Sequence, residues 1–335
     1  MNNGSPFVIA ELSANHNNDF NIAVKTIEKM AESGADAVKI QTFRPESLTL
    51  DIDNEYFGPR KEGLWKGLRP YDVFSQGAMP YEWQPKLKRI AEDNGLVFFS
   101  SPFDMEGVDF LEKMDVSIYK VASFEITDLP LIRYIAQKGK PVIISTGVAE
   151  LGDIDKALGV CRGVDNSNIT LLKCTSEYPA LPEMANLQTI PNMRETFGVN
   201  VGVSDHTMGS TVPVVAVALG ATVVEKHFIL DRSLGGPDSA FSMEPDEFAH
   251  MVKSCKEAYK SLGDVSYNVK EKDKLRRRSL FVSENIKEGE LFTRENIKSV
   301  RPGNGLHPMH MDSIIGNKAI RNIAKGTPLS WKDIS

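Results

Sequence analysis

Short apolar runs alternate with amphipathic segments between residues 7 and 262, and this alternation limits the fold more than any other feature of the chain. Each run has the length of a buried strand, and the segments between them carry apolar residues at helical spacing. Eight strand signals alternate with helix signals. That number and length are typical of a (β/α)8 TIM barrel, which takes about 250 residues. Neither GxGxxG nor GxxxxGK[ST] occurs, so no local motif supports a nucleotide-binding fold.

The chain changes character after the last of these helices. We predict a TIM-barrel catalytic domain over residues 1–262 and a polar, charged linker over 263–275. Residues 276–335 contain strand-like SLFVS, turn-forming KEGE and the segment IKSVRPGNGLHP, which together predict a small β-rich domain.

One connection within the predicted barrel is unusually long. Residues 42–80 form an irregular excursion that carries Tyr56, Phe57, Trp65 and Tyr71. A loop of this length in a compact domain is usually functional or a lid. The alternative is a structural flap that covers the barrel.

Composition and charge exclude several classes of function. Of the 335 residues, 41% are hydrophobic and 25% charged, as in ordinary globular proteins. The net charge of -6 and the lack of any basic run longer than 275–278 argue against nucleic-acid or membrane partners. The three cysteines are scattered, which argues against disulfides or structural zinc and favours a reducing compartment. We find no signal peptide and no apolar run near the roughly 20 residues of a membrane span, so we expect a cytoplasmic protein.

Polar residues gather where the predicted strands end. Active sites of TIM barrels lie at the C-terminal ends of the strands, so these residues are the site candidates. The fourth predicted strand extends to Glu125 and the sixth to Pro179. The candidates are Glu11, Lys39, Gln41, Ser100, Ser101, Lys120, Ser123, Glu125, Ser145, Thr146, Lys173, Thr175, Ser176, Tyr178, Ser204, His206, Glu225 and His227.

Two of these candidates, Lys39 and Lys120, interrupt apolar strands. A lysine that faces the barrel interior is costly unless it meets an anion. Serines on neighbouring strands could donate hydrogen bonds to the same anion, a combination that suits a phosphate group. The alternative is that each lysine faces outward or pairs with a carboxylate such as Glu11 or Glu125.

His206 and His227 end two successive strands that one apolar helix separates. Successive parallel strands usually lie side by side, so both imidazoles should reach one metal ion. Two histidines with open positions suit a catalytic Mn, Co, Fe or Zn ion. The alternative is that each is merely a hydrogen-bonded polar residue. His16 lacks the partner of an HxH pair, which disfavours a binuclear hydrolase, and we predict His250 and His310 at the surface.

The segment LGGPDSAFS after the last strand has the glycines and proline of a tight turn. This turn should bring Asp238 back over the barrel mouth. The carboxylate could then bind a sugar hydroxyl or the metal, or it could simply stabilise the turn.

The chain contains, in this order, the motifs AELSANHN, KIQT, FSSPFD, YKVASFE, ISTG, KCTSEYP, VGVSDHT, EKHF and GGPDSAFSMEPDEF. Together they resemble the sialic acid synthase family. The resemblance covers nearly the whole chain, and RPGNGLHP resembles the family's antifreeze-like (SAF) domain, a β-clip fold. Within the family, ASFE, the segment with LWKG and Tyr71, and KSVRP followed by GLHP are more similar to the pseudaminic branch than to the N-acetylneuraminate branch.

The resemblance implies a transferase that forms a C–C bond. It implies a metal-dependent condensation of phosphoenolpyruvate with 2,4-diacetamido-2,4,6-trideoxy-L-altrose, giving pseudaminic acid and phosphate. The alternatives are an N-acetylneuraminate or legionaminic acid synthase, which would use another acceptor sugar. A non-enzymatic alternative, an interaction or ice-binding module at the C-terminus, is disfavoured because ice binding needs an uncharged face. That segment carries Arg294, Glu295, Lys298, Arg301 and Lys318.

The resemblance also implies residue roles. His206 and His227 would carry the ion, usually manganese or magnesium, with cobalt as a further possibility. The candidate catalytic residues are Glu125, Glu11, Lys39 and Lys120. Glu125 is our candidate to direct or deprotonate the attacking water, with the choice of carboxylate left open by the sequence, and Lys39 and Lys120 would stabilise the departing phosphate. Arg301 is similar to the arginine that family dimers insert into the partner's site, so a domain-swapped homodimer is implied. Phosphoenolpyruvate would contact Lys39, Ser101, Lys120, Ser123, Ser145, Ser176 and Ser204, and the sugar would contact Glu11, Gln41, Tyr178 and Asp238.

Two features depart from the neuraminate enzymes. Ser176 stands where those enzymes have asparagine, and ASFE at residues 122–125 replaces their GSGE. We expect the larger Phe124 to change the wall near the substrate, which weakens N-acetylmannosamine as the acceptor.

Overall fold

Eight parallel strands close into a barrel in the computed structural model, which describes residues 5–335. Each strand pairs with the next, and the eighth pairs with the first, which confirms the predicted TIM barrel. The strands are nearly continuous apolar runs because helices cover the outside of the barrel. They are β1 Phe7–Glu11, β2 Ala37–Thr42, β3 Val97–Pro102, β4 Tyr119–Val121, β5 Val142–Ser145, β6 Ile169–Cys174, β7 Asn200–Asp205 and β8 Val223–His227.

Local signals in the sequence set the limits of the helices. The first helix begins after Asp19, whose carboxylate accepts the backbone N–H groups of Asn21 and Ile22. Its buried face includes Ile27 and Met30, and Gly34 follows it with φ +81°. The helices of this unit are α1 Phe20–Glu32, α2 Pro45–Leu48, α3 Pro70–Gly77, α4 Gln84–Asp93, α5 Met105–Lys113, α6 Leu129–Ala136, α7 Leu151–Arg162, α8 Thr189–Phe197, α9 Thr211–Ala218 and α10 Pro245–Leu262.

Two strands are shorter than predicted. β4 ends at Val121 and is followed by a 3-10 turn, Ser123–Glu125, while β6 ends at Cys174. The chain leaves β4 because the N–H of Glu125 closes the turn onto the carbonyl of Ala122. The predicted irregular excursion over residues 42–80 contains two helices, α2 and α3.

The interior of the barrel divides into an apolar end and a polar end. Residues at the starts of the strands form an apolar cluster that includes Phe7, Ala37, Phe99, Ile143 and Val223. A larger apolar cluster fills the space between the strands and the helices. The polar groups are therefore concentrated where the strands end, which is the end of the barrel that carries active sites in this fold.

A second compact unit extends from Asp264 to Ser335, while the barrel unit ends at Gly263. The second unit contains the antiparallel pair β9 Ser279–Val282 and β10 Ile297–Val300, and the short helices α11 Glu271–Lys274 and α12 Met311–Ile314. It has its own apolar core, which includes Leu280, Phe292 and Ile314. Along residues 5–335 we find no helix with the length and apolarity that a membrane crossing requires.

Candidate active site

Buried polar side chains line the C-terminal end of the barrel. Burial of this many polar groups is unfavourable unless they are paired or bind a ligand. The group consists of Glu11, Lys39, Ser100, Ser101, Lys120, Ser123, Ser145, Thr146, Ser204, His206, Glu225 and His227. Sequence reasoning placed all of them at strand ends.

Lys39 and Lys120 both point into the barrel, so the alternative that they face outward is wrong. The Lys39 ammonium lies 2.6 Å from Glu11 Oε2 and 3.8 Å from Glu225 Oε1. Lys120 Nζ lies 3.9 Å from the same Glu225 oxygen and donates a hydrogen bond of 2.6 Å to Ser145 Oγ. The pairing of Lys39 with Glu11 was among the alternatives considered. Glu225, a strand-end candidate to which we had given no role, lies between the two lysines.

The pKa shifts of these four groups follow from burial and mutual charge. Burial would raise the pKa of Glu225, but Lys120 and Lys39 outweigh it and lower that pKa. Burial raises the pKa of Glu11 in spite of Lys39. Burial also lowers the pKa of Lys120, whereas the pKa of Lys39 is raised because the carboxylates of Glu11 and Glu225 outweigh its burial. Glu225 is therefore more readily ionised than Glu11.

Several buried polar atoms at this end have no hydrogen-bond partner among residues 5–335. They include Ser101 Oγ, Glu125 Oε2, Glu225 Oε2 and His227 Nδ1. An unsatisfied buried polar atom costs about 1–3 kcal/mol. Others are Asn15 Oδ1, Tyr81 Oη and Glu11 Oε2, the last of which faces Lys39. Their concentration at the strand ends indicates a site whose partners come from a polar ligand.

The rings of His206 and His227 are neighbours, with centroids 5.3 Å apart. His206 Nδ1 lies 2.9 Å from the carbonyl oxygen of Thr175. When Nδ1 donates to this carbonyl, Nε2 keeps its lone pair, which is the usual arrangement of a metal-binding histidine. Burial, and then the charge of His206, hold the pKa of His227 well below its ordinary value, so His227 is the neutral imidazole that metal binding requires.

The chain contributes few further ligands to such an ion. In the described part of the chain, no three His, Cys, Asp or Glu side chains are grouped so as to hold an ion. The carboxylate of Asp238 is close to the pair, with Oδ2 3.9 Å from His227 Nδ1. The remaining coordination positions would fall to substrate and water, as in catalytic rather than structural sites.

Asp238 does return over the barrel mouth, as the turn predicted. Its Oδ2 accepts a hydrogen bond from Ser13 Oγ, and Gln41 Nε2 donates to Ser13 Oγ at 3.1 Å and to Glu11 Oε1 at 3.0 Å. Glu11, Gln41, Ser13 and Asp238 thus form one continuous polar row. Sequence reasoning missed Ser13, although it follows the first strand directly in the motif AELSANHN.

Ser123, Ser176 and Cys174 converge on Gly147. A Cβ atom at Gly147 would lie 2.1 Å from Ser176 Oγ, 2.9 Å from Ser123 Oγ and 3.1 Å from Cys174 Sγ. Only glycine therefore fits between these side chains. Burial would raise the pKa of Cys174, but its hydrogen bond with His206 lowers it to about 7 and raises the pKa of His206.

The Ser123–Glu125 turn leaves the side chain of its middle residue largely exposed. Phe124 is 62% exposed, and its effect on the wall near the substrate stays a prediction. Glu125 instead lies inside, and burial raises its pKa to about 7, although Lys120 opposes the shift.

The other predicted residues lie in different surroundings. His250 is exposed on α10, as predicted, whereas the ring of His310 packs 4.9 Å from that of Trp331 and is only partly exposed. Arg301 is exposed in the second unit. Tyr178 packs its ring 4.4 Å from that of His206.

A closed parallel barrel with paired lysines and paired histidines at its C-terminal mouth is a TIM-barrel enzyme site built for an anionic substrate. The NeuB family profile matches residues 26–267, and the SAF domain profile matches residues 277–335. The chain therefore belongs to the NeuB family, and the predicted resemblance to sialic acid synthases is confirmed.

Individual relatives agree with this placement. The chain is 44% identical to pseudaminic acid synthase of Campylobacter jejuni over 98% of its own length and 96% of the relative's. It is 38% identical to N,N'-diacetyllegionaminic acid synthase of the same species, over 94% and 96% of the two chains. Among solved structures, N-acetylneuraminic acid synthetase from Leptospira borgpetersenii, in complex with citrate, matches with a TM-score of 0.71 and 31% identity, over 80% of this chain and 89% of that one.

Proposed function

We propose that this protein is a pseudaminic acid synthase, a transferase that condenses phosphoenolpyruvate with 2,4-diacetamido-2,4,6-trideoxy-L-altrose and releases phosphate. The observation that carries the proposal is the placement of Lys39 and Lys120 on two sides of Glu225 inside the barrel. The higher identity to a pseudaminic acid synthase than to a legionaminic acid synthase, 44% against 38%, supports the choice of acceptor.

The phosphate of phosphoenolpyruvate binds between the two ammonium groups. Lys120 already donates to Ser145, and the unpartnered hydroxyl of Ser101 is free to donate to a phosphate oxygen. Because the pKa of Glu11 is raised, this carboxyl group can take up a proton as the anion enters. The two lysines then face only one carboxylate, Glu225. Ser123, Ser176 and Ser204 complete the phosphoenolpyruvate site.

His206 and His227 hold a divalent ion, with manganese as the proposed metal and magnesium or cobalt as alternatives. The residues fit such an ion, because His227 Nδ1 is buried without a partner and His206 is oriented by the Thr175 carbonyl. When bound, the ion acts as a Lewis acid toward the aldehyde oxygen.

The polar row of Glu11, Gln41 and Asp238, together with Tyr178, binds the open-chain sugar. Glu125 takes the proton of the water that adds to C2 of the former enol, because a pKa of about 7 lets this carboxyl group accept and release a proton near neutrality. Lys39 and Lys120 neutralise the phosphate as it leaves.

A homodimer in which Arg301 reaches the site of the partner completes the proposal. We also propose a cytoplasmic location, where phosphoenolpyruvate is available. Both points rest on the family resemblance.

The test is metal-stimulated phosphate release that requires both phosphoenolpyruvate and the diacetamido sugar. His206→Ala should abolish turnover and lower the bound metal, measured by elemental analysis, while the circular dichroism spectrum stays that of the wild type. The matched control is His250→Ala, because His250 is exposed on α10. Full activity of His206→Ala in the presence of metal would overturn the metal assignment.

The acceptor is tested in parallel assays with three sugars. The proposal expects the highest kcat/KM with the L-altro diacetamido sugar. A preference for the legionaminic precursor or for N-acetylmannosamine would assign the protein to another branch of the family.

A further inference from the structure

The excursion between β2 and α4, residues 42–80, places the side chain of Trp65 at the edge of the active site. The indole Nε1 of Trp65 donates a hydrogen bond of 3.2 Å to the carbonyl oxygen of Pro237. Pro237 directly precedes Asp238, the carboxylate that ends the polar row. The Trp65 ring also lies 6.1 Å from the Tyr178 ring, with a tilt of 43°.

A hydrogen-bonded turn, Arg60–Leu68, holds Trp65 in this position. The N–H of Arg60 donates to the carbonyl of Leu68 at 3.0 Å, and the N–H of Gly67 donates to the carbonyl of Arg60 at 2.8 Å. Gly63 and Gly67 have φ of +82° and +86°, which glycine adopts without strain. The guanidinium of Arg60 lies 5.2 Å from the centre of the Trp65 ring.

The C-terminal end of the excursion is hydrogen-bonded to the segment that follows β1. Asn18 Nδ2 donates to the carbonyl of Gln76 at 3.2 Å, and His16 Nε2 lies 3.2 Å from the carbonyl of Gly77. Arg69 bridges Asp72 and Asp51. Hydrogen bonds and ion pairs therefore hold both the Arg60–Leu68 turn and the residues that follow it, so Trp65 belongs to an ordered segment.

Trp65 extends a wall of rings that begins at the histidine pair. Tyr178 lies 4.4 Å from His206 and 5.1 Å from Phe241, and Trp65 follows on the far side of Tyr178. An extended six-carbon chain spans about 6 Å between its end carbons, which is comparable with the 4.4 Å from His206 to Tyr178 and the 6.1 Å from Tyr178 to Trp65. An acceptor that lies along this wall with its aldehyde at the histidines would therefore extend its far end toward the outer rings.

We propose that Trp65 is a specificity-determining residue that recognises the distal, methyl-bearing end of the acceptor sugar. This inference rests on the proposed function, in which the aldehyde is placed at His206 and His227. A 2,4-diacetamido-2,4,6-trideoxy sugar presents an acetamido methyl at C4 and a methyl carbon at C6. An indole face binds such groups better than the hydroxyls that N-acetylmannosamine carries at the same positions.

The first experiment compares Trp65→Ala and Trp65→Phe with the wild type in steady-state assays. For Trp65→Ala we expect the KM of the diacetamido sugar to rise by about 10- to 100-fold, in the range that apolar pockets produce for lost contacts, while the KM of phosphoenolpyruvate changes little. The preference over N-acetylmannosamine should fall by a similar factor. Trp65→Phe should restore most of the affinity.

Tyr56→Phe and Tyr56→Ala are the matched controls, because Tyr56 belongs to the same excursion but is 77% exposed. An unchanged sugar KM in Trp65→Ala would overturn the inference. A parallel rise in the KM of both substrates would do the same, since it would indicate general damage to the mouth.

A binding experiment separates this inference from the proposed function. The chain has three tryptophans, so Trp83→Phe/Trp331→Phe leaves Trp65 as the single indole. This variant is titrated with the C1-reduced sugar alcohol, which cannot react. In the presence of phosphoenolpyruvate, the titration should change the fluorescence of Trp65. If both the wild type and the single-indole variant turn over the sugar but the variant shows no fluorescence change, only the role of Trp65 is overturned. Wild-type enzyme that does not use the sugar would overturn the proposed function itself.

Discussion

The ammonium group of Lys226 lies 2.5 Å from the carboxylate of Asp205, and both side chains are buried. Lys226 also donates to the carbonyl oxygens of Thr207 and Gly209. Each member of the pair directly precedes one histidine of the site, and side chains alternate between the two faces of a strand. The ion pair therefore joins β7 and β8 on the face opposite His206 and His227 and fixes the chain just beyond His206.

Removal of this lysine should destabilise the barrel strongly. Lys226→Met leaves the Asp205 carboxylate buried without its counter-ion, a change that typically costs about 3–5 kcal/mol. We expect a loss of this size in the free energy of unfolding measured by urea denaturation.

An exposed ion pair provides the comparison. Lys29 and Glu32 lie 2.5 Å apart, but their side chains are 49% and 63% exposed, so Lys29→Met should lower the free energy of unfolding far less than Lys226→Met does. Equal losses in the two variants would contradict the argument. The double variant Lys226→Met/Asp205→Asn should recover part of the loss, because it also removes the unpaired negative charge of Asp205.

The barrel could be predicted because its signals are local. Every strand is an apolar run, and residues such as Asp19 and Gly34 mark helix limits through their own backbone preferences. The ends of β4 and β6 were placed too far along the chain. β4 ends at Val121 because the N–H of Glu125 bonds back to the carbonyl of Ala122, and β6 ends at Cys174, where the chain continues without regular structure.

The site could be predicted only as a set of strand ends. The sequence placed Lys39, Lys120 and the two histidines at strand ends, but it left open whether the lysines face inward and could not give their pairing across the barrel. Glu225 lies between two lysines that are 81 residues apart in the sequence, Lys39 and Lys120. The position of Trp65 could not be predicted either, because it depends on a hydrogen bond to Pro237, which is 172 positions away in the sequence.

The raised pKa of Glu125 predicts a pH dependence of catalysis. With a pKa of about 7, raised by burial, this carboxyl group is largely protonated at pH 6 and ionised at pH 8. If it accepts the proton of the attacking water, kcat should rise with pH through about 7. In Glu125→Gln, kcat should no longer rise with pH through this range, and it should be about 10²- to 10⁴-fold lower. The control is Glu183→Gln, because Glu183 is exposed.

The same shift predicts an effect on stability of definite sign. The folded state holds the Glu125 proton up to about pH 7, whereas the unfolded chain releases it near the ordinary value of 4.5. Stability should therefore fall as the pH rises between these values, and Glu125→Gln should lack this part of the fall. Urea denaturation at pH 5 and pH 8 measures the difference. An identical pH dependence in the variant and the wild type would show that Glu125 has an ordinary pKa.

The charge of Lys39 should be required for binding of phosphoenolpyruvate. Lys39→Met removes one of the two ammonium groups and leaves Glu11 and Glu225 facing the phosphate. A hydrogen bond to a charged group contributes about 1.5–3 kcal/mol, so the KM of phosphoenolpyruvate should rise by at least about 10-fold. Lys39→Arg should keep part of the affinity, since it keeps the charge.

A surface lysine tests whether the effect is specific. Lys88 pairs with Glu92 on α4 at 2.8 Å, and Lys88→Met should leave the KM of phosphoenolpyruvate unchanged. If Lys39→Met also binds phosphoenolpyruvate normally, the lysine serves only to neutralise the two carboxylates.

The proposed exchange of Arg301 between subunits can be tested by mixing two inactive variants. His206→Ala lacks a proposed metal ligand in its own barrel, and Arg301→Ala lacks the residue that it would donate to the partner. In a mixed dimer, the barrel of the Arg301→Ala chain keeps His206 and receives Arg301 from the other chain. Half of the dimers formed at random are mixed and each has one intact site of two, so co-expression should restore about one quarter of the wild-type activity.

A second mixture shows whether the recovered activity arises in this way. His206 and His227 belong to the same barrel, with ring centroids 5.3 Å apart. In a mixed dimer of His206→Ala and His227→Ala, each barrel therefore still lacks one histidine, and no activity should return. Recovery in the first mixture alone assigns Arg301 to the site of the partner subunit. Absence of recovery in both, with the dimers demonstrated by two different affinity tags, would place Arg301 in the site of its own chain or outside the site altogether.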